Sequence, residues 1–328
     1  MDNKLILRCY SKIVAVMTLI LIFAGAQVKS HEAGLAVPDW PTTYGRNMFL
    51  FPVSSWVGNI FYEHSHRLIA SGVGLMTLVL AVWLHFAEKR RWVKVLGYTA
   101  LCAVIAQGLL GGLTVLLLLP PAVSILHGVL AQTFLILTII IAYSQSKELD
   151  ERKLIGISGT TKKFFRFTTF VVATIYLQLI LGALMRHTGS GLAVPDFPTM
   201  GGSLVPSVSD AVLANINDQR FELGLGNVSP RQVIIHLVHR AGAIVVTVAV
   251  LSLLLMTFIR YRNDPALIGL GHMLAVGVII QFLFGVLTVF SARAPAIASV
   301  HVVTGALLLM LGVILCLRSY PLKYGVEV

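Results

Sequence analysis

Four of the ten histidines occupy equivalent places in two halves of the sequence. His66 corresponds to His239, and His127 corresponds to His301. Two imidazoles from different helices, at similar depth in a bundle, can bind the iron of one flat macrocycle from opposite sides. A lone intramembrane histidine can instead be a hydrogen-bonded structural residue or part of a proton path. Because these four form two repeated pairs, we interpret them as ligands of two haem groups rather than of a non-haem metal.

The residue one helical turn before the first histidine of each pair differs between the halves. Glu63 precedes His66, whereas His236 stands at the equivalent place before His239. Residues three apart share a helix face, so the Glu63 carboxyl group is predicted to lie beside the iron-bound ring. There it could move protons or stabilise a developing cation, or it could be held by a neighbouring arginine. We favour the first interpretation, which makes the first half reactive and the second half accessory.

Two arginines, Arg67 and Arg240, directly follow the first histidine of each pair. A guanidinium at the membrane edge can bind a haem propionate in bidentate fashion. It can equally extend to the lipid headgroups. The sequence leaves both roles open, and it gives no role to His64 or His236, which lie beside the same motif.

The two halves of the chain repeat one another. Residues 34–42 read GLAVPDWPT and residues 191–199 read GLAVPDFPT, which are identical at eight of nine positions. Residues 107–114 match residues 281–288 at an offset of 174. The matches keep their order, which indicates an internal duplication. The two GLAVPD segments are predicted to cap the bundles at the outer face, with Trp40 and Phe197 as lids over a ring edge or as aromatic anchors in the interface.

The composition is that of a membrane protein, with 57% hydrophobic and 12% charged residues in a chain of 328. A bilayer core about 30 Å thick needs about 20 apolar residues per spanning helix. Eight segments qualify, at 12–28, 66–86, 95–118, 123–143, 167–186, 233–259, 266–290 and 297–317. We therefore predict an all-α integral membrane protein with eight transmembrane helices, arranged as two tandem pseudo-symmetric four-helix bundles in the same orientation.

The net charge of +11 arises mainly from basic residues in the short connections between spans. These clusters fall on one side of an eight-span arrangement, at 4–12, 89–94, 147–166, 260–262 and 318–323. By the positive-inside rule both termini are cytoplasmic, and the histidine pairs lie toward the outer face of the cell membrane. Because orientation accounts for the charge, we predict no nucleic-acid partner.

The predicted organisation has three parts. Residues 1–146 form an N-terminal four-helix half, residues 147–166 form a cytoplasmic linker, and residues 167–328 form a C-terminal four-helix half. The first span resembles a signal peptide, with a basic start and a small-residue sequence at 24–26. The repeat argues against that reading, since it makes this span the counterpart of the fifth.

With these features the chain resembles the haem A synthase family over nearly its whole length. The resemblance rests on the two four-helix halves, the Glu-x-x-His-Arg sequence at 63–67, the GLAVPDWPT segment and single histidines in three later spans. The positions that match the family pattern are Glu63, His66, Arg67, His127, His239 and His301. The family oxidises the methyl group of haem O to a formyl group through a hydroxymethyl intermediate.

The resemblance implies a role for each site residue. His66 and His127 would hold the substrate haem O, and Glu63 would be the catalytic carboxylate. His239 and His301 would ligate the iron of a haem b that transfers electrons to an unidentified acceptor. A haem O synthase would deliver the substrate, and the apolar exterior permits a homo-oligomer.

One family feature is absent from this sequence. Some relatives carry a cysteine pair in an outer loop, whereas Cys9, Cys102 and Cys316 lie in or beside predicted spans. A mechanism that needs an outer-loop thiol is therefore not available to this chain.

Two other functions compete with the synthase. The first is a dihaem b-type electron-transfer cytochrome without substrate chemistry, which the difference between Glu63 and His236 disfavours. The second is a transporter with parallel repeats, which would need helix breaks near the midplane. The prolines lie in loops and at span ends, which disfavours the transporter.

Overall fold

The structure, a computed structural model, describes residues 3–155, 161–205 and 207–321. Within these ranges the α-helices are α1 (Asn3–Ser30), α2 (Asn59–Ala87), α3 (Arg91–Leu116), α4 (Pro121–Ser144), α5 (Lys147–Ile155), α6 (Lys162–His187), α7 (Asp210–Glu222), α8 (Pro230–Arg260), α9 (Pro265–Phe290) and α10 (Pro295–Ser319). All except α5 and α7 are long and apolar enough to cross a membrane. The prediction of an all-α, eight-span membrane protein is therefore confirmed.

Each group of four long helices forms a closed ring of contacts. In the first half, α1 and α3 both pack against α2 and α4. In the second half, α6 and α9 both pack against α8 and α10. Contacts between the groups run through α1, α4, α6 and α10, so that α2, α3, α8 and α9 lie away from the junction.

The packed apolar core lies toward one end of the helices. In the first half it includes Leu7 and Val14 of α1, Leu84 of α2, Val93 of α3 and Ile141 of α4. These residues lie on the side of the predicted cytoplasmic connections. A similar cluster joins α6, α8, α9 and α10 in the second half. The cavity described below lies at the opposite end of each group of four helices, next to the GLAVPD segments.

The short helix α5 links the two halves at the predicted cytoplasmic end. Arg318 of α10 donates to both carboxylate oxygens of Glu148, each at 2.7 Å. Arg8 of α1 donates to the carbonyl of Gln145 at 2.8 Å. The predicted linker at 147–166 thus contains a helix, and its last residues from Lys162 belong to α6. Residues 156–160 of that linker, and residues 1–2 and 322–328 of the predicted halves, lie outside the described residues.

The histidine-bearing helices α2 and α8 begin earlier in the chain than hydropathy predicts. Span 2 was expected from residue 66, but α2 begins at Asn59. Span 6 was expected from residue 233, but α8 begins at Pro230, after a capping box formed by Ser229 and Gln232. His66 therefore lies about two turns inside its helix rather than at its start. Hydropathy predicts a late start for α2 because it scores the polar residues at 59–67 as lying outside the membrane. Some of these residues, such as Glu63 and His64, are instead buried against protein.

Candidate functional site

A cavity of about 1870 Å³ lies at the GLAVPD end and extends across both halves. His66 and His127 line it from the first half, and His239 and His301 line it from the second. Pockets for small ligands usually have about 300–1,000 Å³. The structure thus brings all four predicted histidines to one cavity, which is large enough for more than one bulky ligand.

Each of the four histidines faces a glycine on a neighbouring helix. The four contacts are Gly25 with His66, Gly111 with His127, Gly182 with His239, and Gly285 with His301. A Cβ atom added to any of these glycines would lie 3.0, 3.2, 3.3 or 3.3 Å from the imidazole Cε1, in the same order. The helix backbone therefore packs directly against each ring, which limits how the ring can turn within the cavity.

The donor set fits two haem groups. The Nδ1 atoms of His66, His127 and His301 are buried and have no hydrogen-bond partner among the described residues. A neutral imidazole with a free ring nitrogen is the donor that haem iron takes. No group of three His, Cys, Asp or Glu side chains converges in the described ranges. Two donors per half match the two axial positions of a haem, whereas a zinc site takes three or four protein ligands.

Glutamines fix the helix turn that carries the second histidine of each pair. Gln107 donates to the carbonyl of His127, and Gln281 donates to the carbonyl of His301, both at 2.9 Å. Gln107 and Gln281 are counterparts in the repeat. The same arrangement therefore positions one histidine in each half.

A third glutamine contacts a site histidine, and among the described residues this contact occurs only in the second half. Gln178 of α6 donates to the carbonyl of His239 at 2.9 Å and lies 3.1 Å from its Nδ1. The counterpart of Gln178 in α1 is Leu21, and His66 has no such contact among the described residues. The second half therefore constrains its histidine more tightly than the first half does.

The two predicted arginines bind the GLAVPD segments. Arg67 and Arg240 line the cavity, and each donates to three backbone carbonyls of the adjacent segment. The acceptors of Arg67 are Val37, Asp39 and Thr42 at 2.9, 2.7 and 3.0 Å, and those of Arg240 are Val194, Asp196 and Thr199 at 3.1, 2.7 and 3.1 Å. Neither role considered from sequence includes these bonds. Propionate binding by Arg67 and Arg240 stays a prediction.

The aromatic residues of these segments lie at the cavity. Trp40 and Phe197 both line it, as expected of lids. The Trp40 ring packs so closely on α3 that it occupies the space of a Cβ at Gly112. The Phe197 ring lies 6.0 Å from that of Phe282 on α9. The two segments thus close this end of the cavity against α3 and α9.

Glu63 lies on the cavity wall and is 3% exposed. Its Oε1 accepts from Arg67 at 2.6 Å, and its Oε2 accepts from the amide of Val37 at 2.8 Å. His236, its counterpart, is also buried, and its Nδ1 lies 3.0 Å from the carbonyl of Ser190. Glu63 is therefore both paired with an arginine and positioned beside the first histidine pair.

His64 lies outside the residues that line the cavity. Its ring packs between Phe51 and Trp56, with centroids 5.1 and 4.7 Å away. Its Nδ1 lies 3.2 Å from the hydroxyl of Thr43. We assign His64 to the packing of the first outer loop rather than to the site.

Comparison with known proteins gives the class first. The chain belongs to the family described as cytochrome oxidase assembly protein, which matches residues 8–313. Its relatives include the heme A synthase of Alkalihalophilus pseudofirmus, 27% identical over 303 residues that cover 90% of this chain and 91% of the relative. The heme A synthase of Shewanella oneidensis is 27% identical over 320 residues, with coverage of 91% and 92%. The family resemblance predicted from sequence is confirmed, and with it the prediction that the chain is an oxidoreductase.

Proposed function

We propose that this chain is a haem A synthase, which oxidises the methyl group of haem O to a formyl group through a hydroxymethyl intermediate. The proposal rests on the comparison of the two repeated halves, which differ in the residue one helical turn before the first histidine. Both halves place two histidines against glycines in a shared cavity, but among the described residues the carboxylates that line it, Glu63 and Glu32, belong to the first half alone, and Glu63 lies on the helix that carries His66. The names of the relatives support the same activity.

In the first half, His66 and His127 hold the substrate haem O, and the anchored segment with Trp40 excludes water from its edge. If water supplies the oxygen atom, oxidation of the methyl group to a formyl group releases protons and electrons, and the protons need an acceptor close to the reacting carbon. Of the carboxylates that line the cavity, Glu63 and Glu32, Glu63 lies on α2, one helical turn before His66. We assign Glu63 as the proton acceptor, with Arg67 holding its Oε1.

In the second half, His239 and His301 hold a haem b. When bound there, it supplies one-electron transfer between the substrate site and an acceptor that is not identified. Gln178 and Gln281 keep the two histidines in place through the bonds described above. The halves thus divide into a site for the substrate and a site for the cofactor.

The surroundings of the protein belong to the same proposal. The chain lies in the cell membrane with both termini in the cytoplasm, because the basic connections and α5 share one end of the helices. The cavity then faces outward. A haem O synthase delivers the substrate, and the apolar exterior allows copies to associate laterally.

Co-expression with a source of haem O tests the activity. We expect the wild-type protein to yield haem A in the extracted pigment, identified by chromatography and mass. Glu63→Ala should retain bound haem but accumulate haem O or its alcohol. The matched control is His236→Ala, which removes the counterpart side chain from the second half and should still yield haem A. Wild-type protein that is saturated with haem O, supplied with an electron acceptor and still forms no formyl product would refute the synthase.

A dihaem electron-transfer cytochrome is the second candidate. The near-identical contacts of Gly111 with His127 and of Gly285 with His301 favour it, since two alike sites suit simple electron transfer. This function predicts that Glu63→Ala leaves the pigment unchanged and that haem A never forms. The same extraction therefore separates the two candidates.

A further inference from the structure

The cavity extends to exposed residues in both halves. Ile105 and Leu109 of α3 line the cavity, yet they are 55% and 54% exposed. In the second half, Ile244 of α8 and Phe282 of α9 line it and are 60% and 40% exposed, whereas Ile279 and Leu283 do not line it. The cavity thus extends to lipid-facing residues at the boundary between α2 and α3 and at that between α8 and α9, and the two boundaries differ in the size of the side chains that line them.

Small residues flank this boundary only in the first half. We call Ser71, Gly74 and Gly108 the first-half seam, and their counterparts Ile244, Thr247 and Phe282 the second-half seam. All six residues line the cavity, and each pair is matched by the repeat offsets of the helices that carry it. The larger side chains of the second-half seam therefore fill space that is open at the first-half seam.

The first-half seam lies level with the histidines. Gly97 of α3 packs on Leu84 of α2, with a Cβ position 3.1 Å from Leu84 Cδ1. Because the helices are antiparallel and rise about 1.5 Å per residue, Gly74 and Gly108 lie at one level. Gly111, which faces a histidine of the pair, lies one turn further along α3. A Cβ at Gly74 or at Gly108 would meet no atom within 4 Å, so the seam borders open space.

In contrast to the seam, the outer end of the first-half cavity is closed. Arg67 holds the GLAVPD segment by three carbonyls, and Glu63 holds it by the Val37 amide. Trp40 of the same segment packs against Gly112. Opening this end would break the hydrogen bonds that Arg67 and Glu63 form with the segment, whereas the seam is already lined by small residues. A large apolar ligand dissolved in the bilayer also meets the seam without crossing water.

We propose that the first-half seam is the port through which the substrate porphyrin enters from the bilayer and the product returns to it. The second-half seam is the closed form of the same port, and it retains the porphyrin of that half. The inference rests on the proposed function for the identity of the substrate. It adds the route of exchange and the residues that make one site exchangeable and the other permanent.

Filling the port tests the proposal. Full-length protein in lipid nanodiscs is mixed with vesicles that carry haem O, and the uptake rate is followed by the Soret absorbance. Gly108→Phe, which copies the second half, should slow uptake about tenfold or more. Open space at Gly108 lets the larger side chain fit. The control is Leu75→Phe, which adds the same ring to a lipid-facing position of α2 that does not line the cavity; its uptake rate should equal that of the wild type.

Opening the second half provides the reverse test, which does not depend on the folding of the filled variant. Phe282→Gly should raise the rate at which the porphyrin held by His239 and His301 passes to a soluble haem scavenger, by about tenfold. Three results would each contradict the proposed port. They are an uptake rate of Gly108→Phe equal to that of the wild type, a release rate of Phe282→Gly equal to that of the wild type, and faster uptake after removal of the Trp40 ring. If uptake responds as expected but no haem A forms, the synthase fails and the port stands. If haem A forms and the rates do not change, only the port fails.

Discussion

The two halves of this protein share a scaffold and differ at the positions that surround it. Each half places two histidines against glycines of neighbouring helices, and each ties its GLAVPD segment to α2 or α8 with an arginine. The first half has Glu63 and Leu21 at two positions that line the cavity. The second has His236 and Gln178 instead. The comparison teaches that duplication preserved the histidine–glycine contacts, while the surrounding residues diverged; under the proposed function this divergence sets what each site does.

The largest effect is expected at Glu63. Glu63→Gln keeps the size and a hydrogen-bond acceptor for Val37 but removes the carboxylate, and we expect haem A formation to fall by about 10²-fold or more. Glu63→Ala should also destabilise the protein, because a buried ion pair that loses one partner costs about 3–5 kcal/mol. Pigment composition and thermal unfolding measured on the same preparations separate the two effects. Full activity of Glu63→Gln would contradict the assigned role.

Removal of one histidine should separate the two sites. His239→Ala is expected to abolish the haem b spectrum, since one of its two axial donors is lost, while the first half still binds added haem O. His66→Ala should give the converse result. The measurement is the reduced-minus-oxidised spectrum together with haem per protein. Loss of both signals in either variant would mean that the sites are not independent.

The glycines opposite the histidines should give a smaller, graded effect. Gly25→Ala places a Cβ 3.0 Å from His66 Cε1, and Gly182→Ala places one 3.3 Å from His239 Cε1. Overpacking of this kind costs about 1–3 kcal/mol, so we expect weaker haem binding with the larger loss in Gly25→Ala. Optical titration of each half gives the affinities. A control is Gly72→Ala, where a Cβ meets no atom within 4 Å and binding should not change.

The smallest effect is expected where the halves are alike. Asp39 accepts from the amides of Tyr44 and Gly45, each at 2.8 Å, and Asp196 accepts from those of Gly201 and Gly202, each at 2.9 Å. Asp39→Asn and Asp196→Asn should each lower the free energy of unfolding by about 1 kcal/mol, and the two losses should be similar. Unequal losses of unfolding free energy would show that the two GLAVPD segments contribute differently to the stability of the fold.

The pH dependence of these two carboxylates has a definite sign. Partial burial alone would raise the pKa of Asp39, but hydrogen bonds from the Thr42 hydroxyl and from the amides of Gly45 and Tyr44 lower it below its usual value. The Asp196 pKa is lowered by bonds from Gly202, Thr199 and Gly201, again against burial. A lowered pKa stabilises the fold above the unfolded value, about 4, and that stability is lost as the pH falls through the lowered value. Unfolding of the wild type should therefore depend more on pH below 4 than unfolding of the Asn variants.

Much of the site could be predicted from sequence because its residues are repeated. The eight spans and the four histidines follow from hydropathy and from the offsets between halves. The glutamines at 107 and 281 and the glycines at 111 and 285 lie in a match that the sequence displays. Their contacts could not be read from it, since the rotation of each helix about its axis decides which neighbour a residue faces.

Other features had weaker signals. The helix α7 (Asp210–Glu222) was missed because it is short and lies in a loop with no counterpart in the first half. Its Ile216 packs under the second GLAVPD segment with Val194 and Met200. Arg67 and Arg240 were considered as ligands of propionates or headgroups because the fold of an irregular segment, and hence its free carbonyls, cannot be predicted from local sequence.

The connection through α5 has a consequence for how the two sites could diverge. Helix α5 follows α4 in the chain, precedes α6, and has its Glu148 held by Arg318 of α10, so both halves belong to one polypeptide. In a symmetric dimer of identical four-helix chains, every substitution would occur at both sites. The fused chain is free of that symmetry, and a glycine at 108 can coexist with a phenylalanine at 282. A fused chain can therefore evolve one pocket that retains its ligand and one that exchanges it, as the proposed port requires.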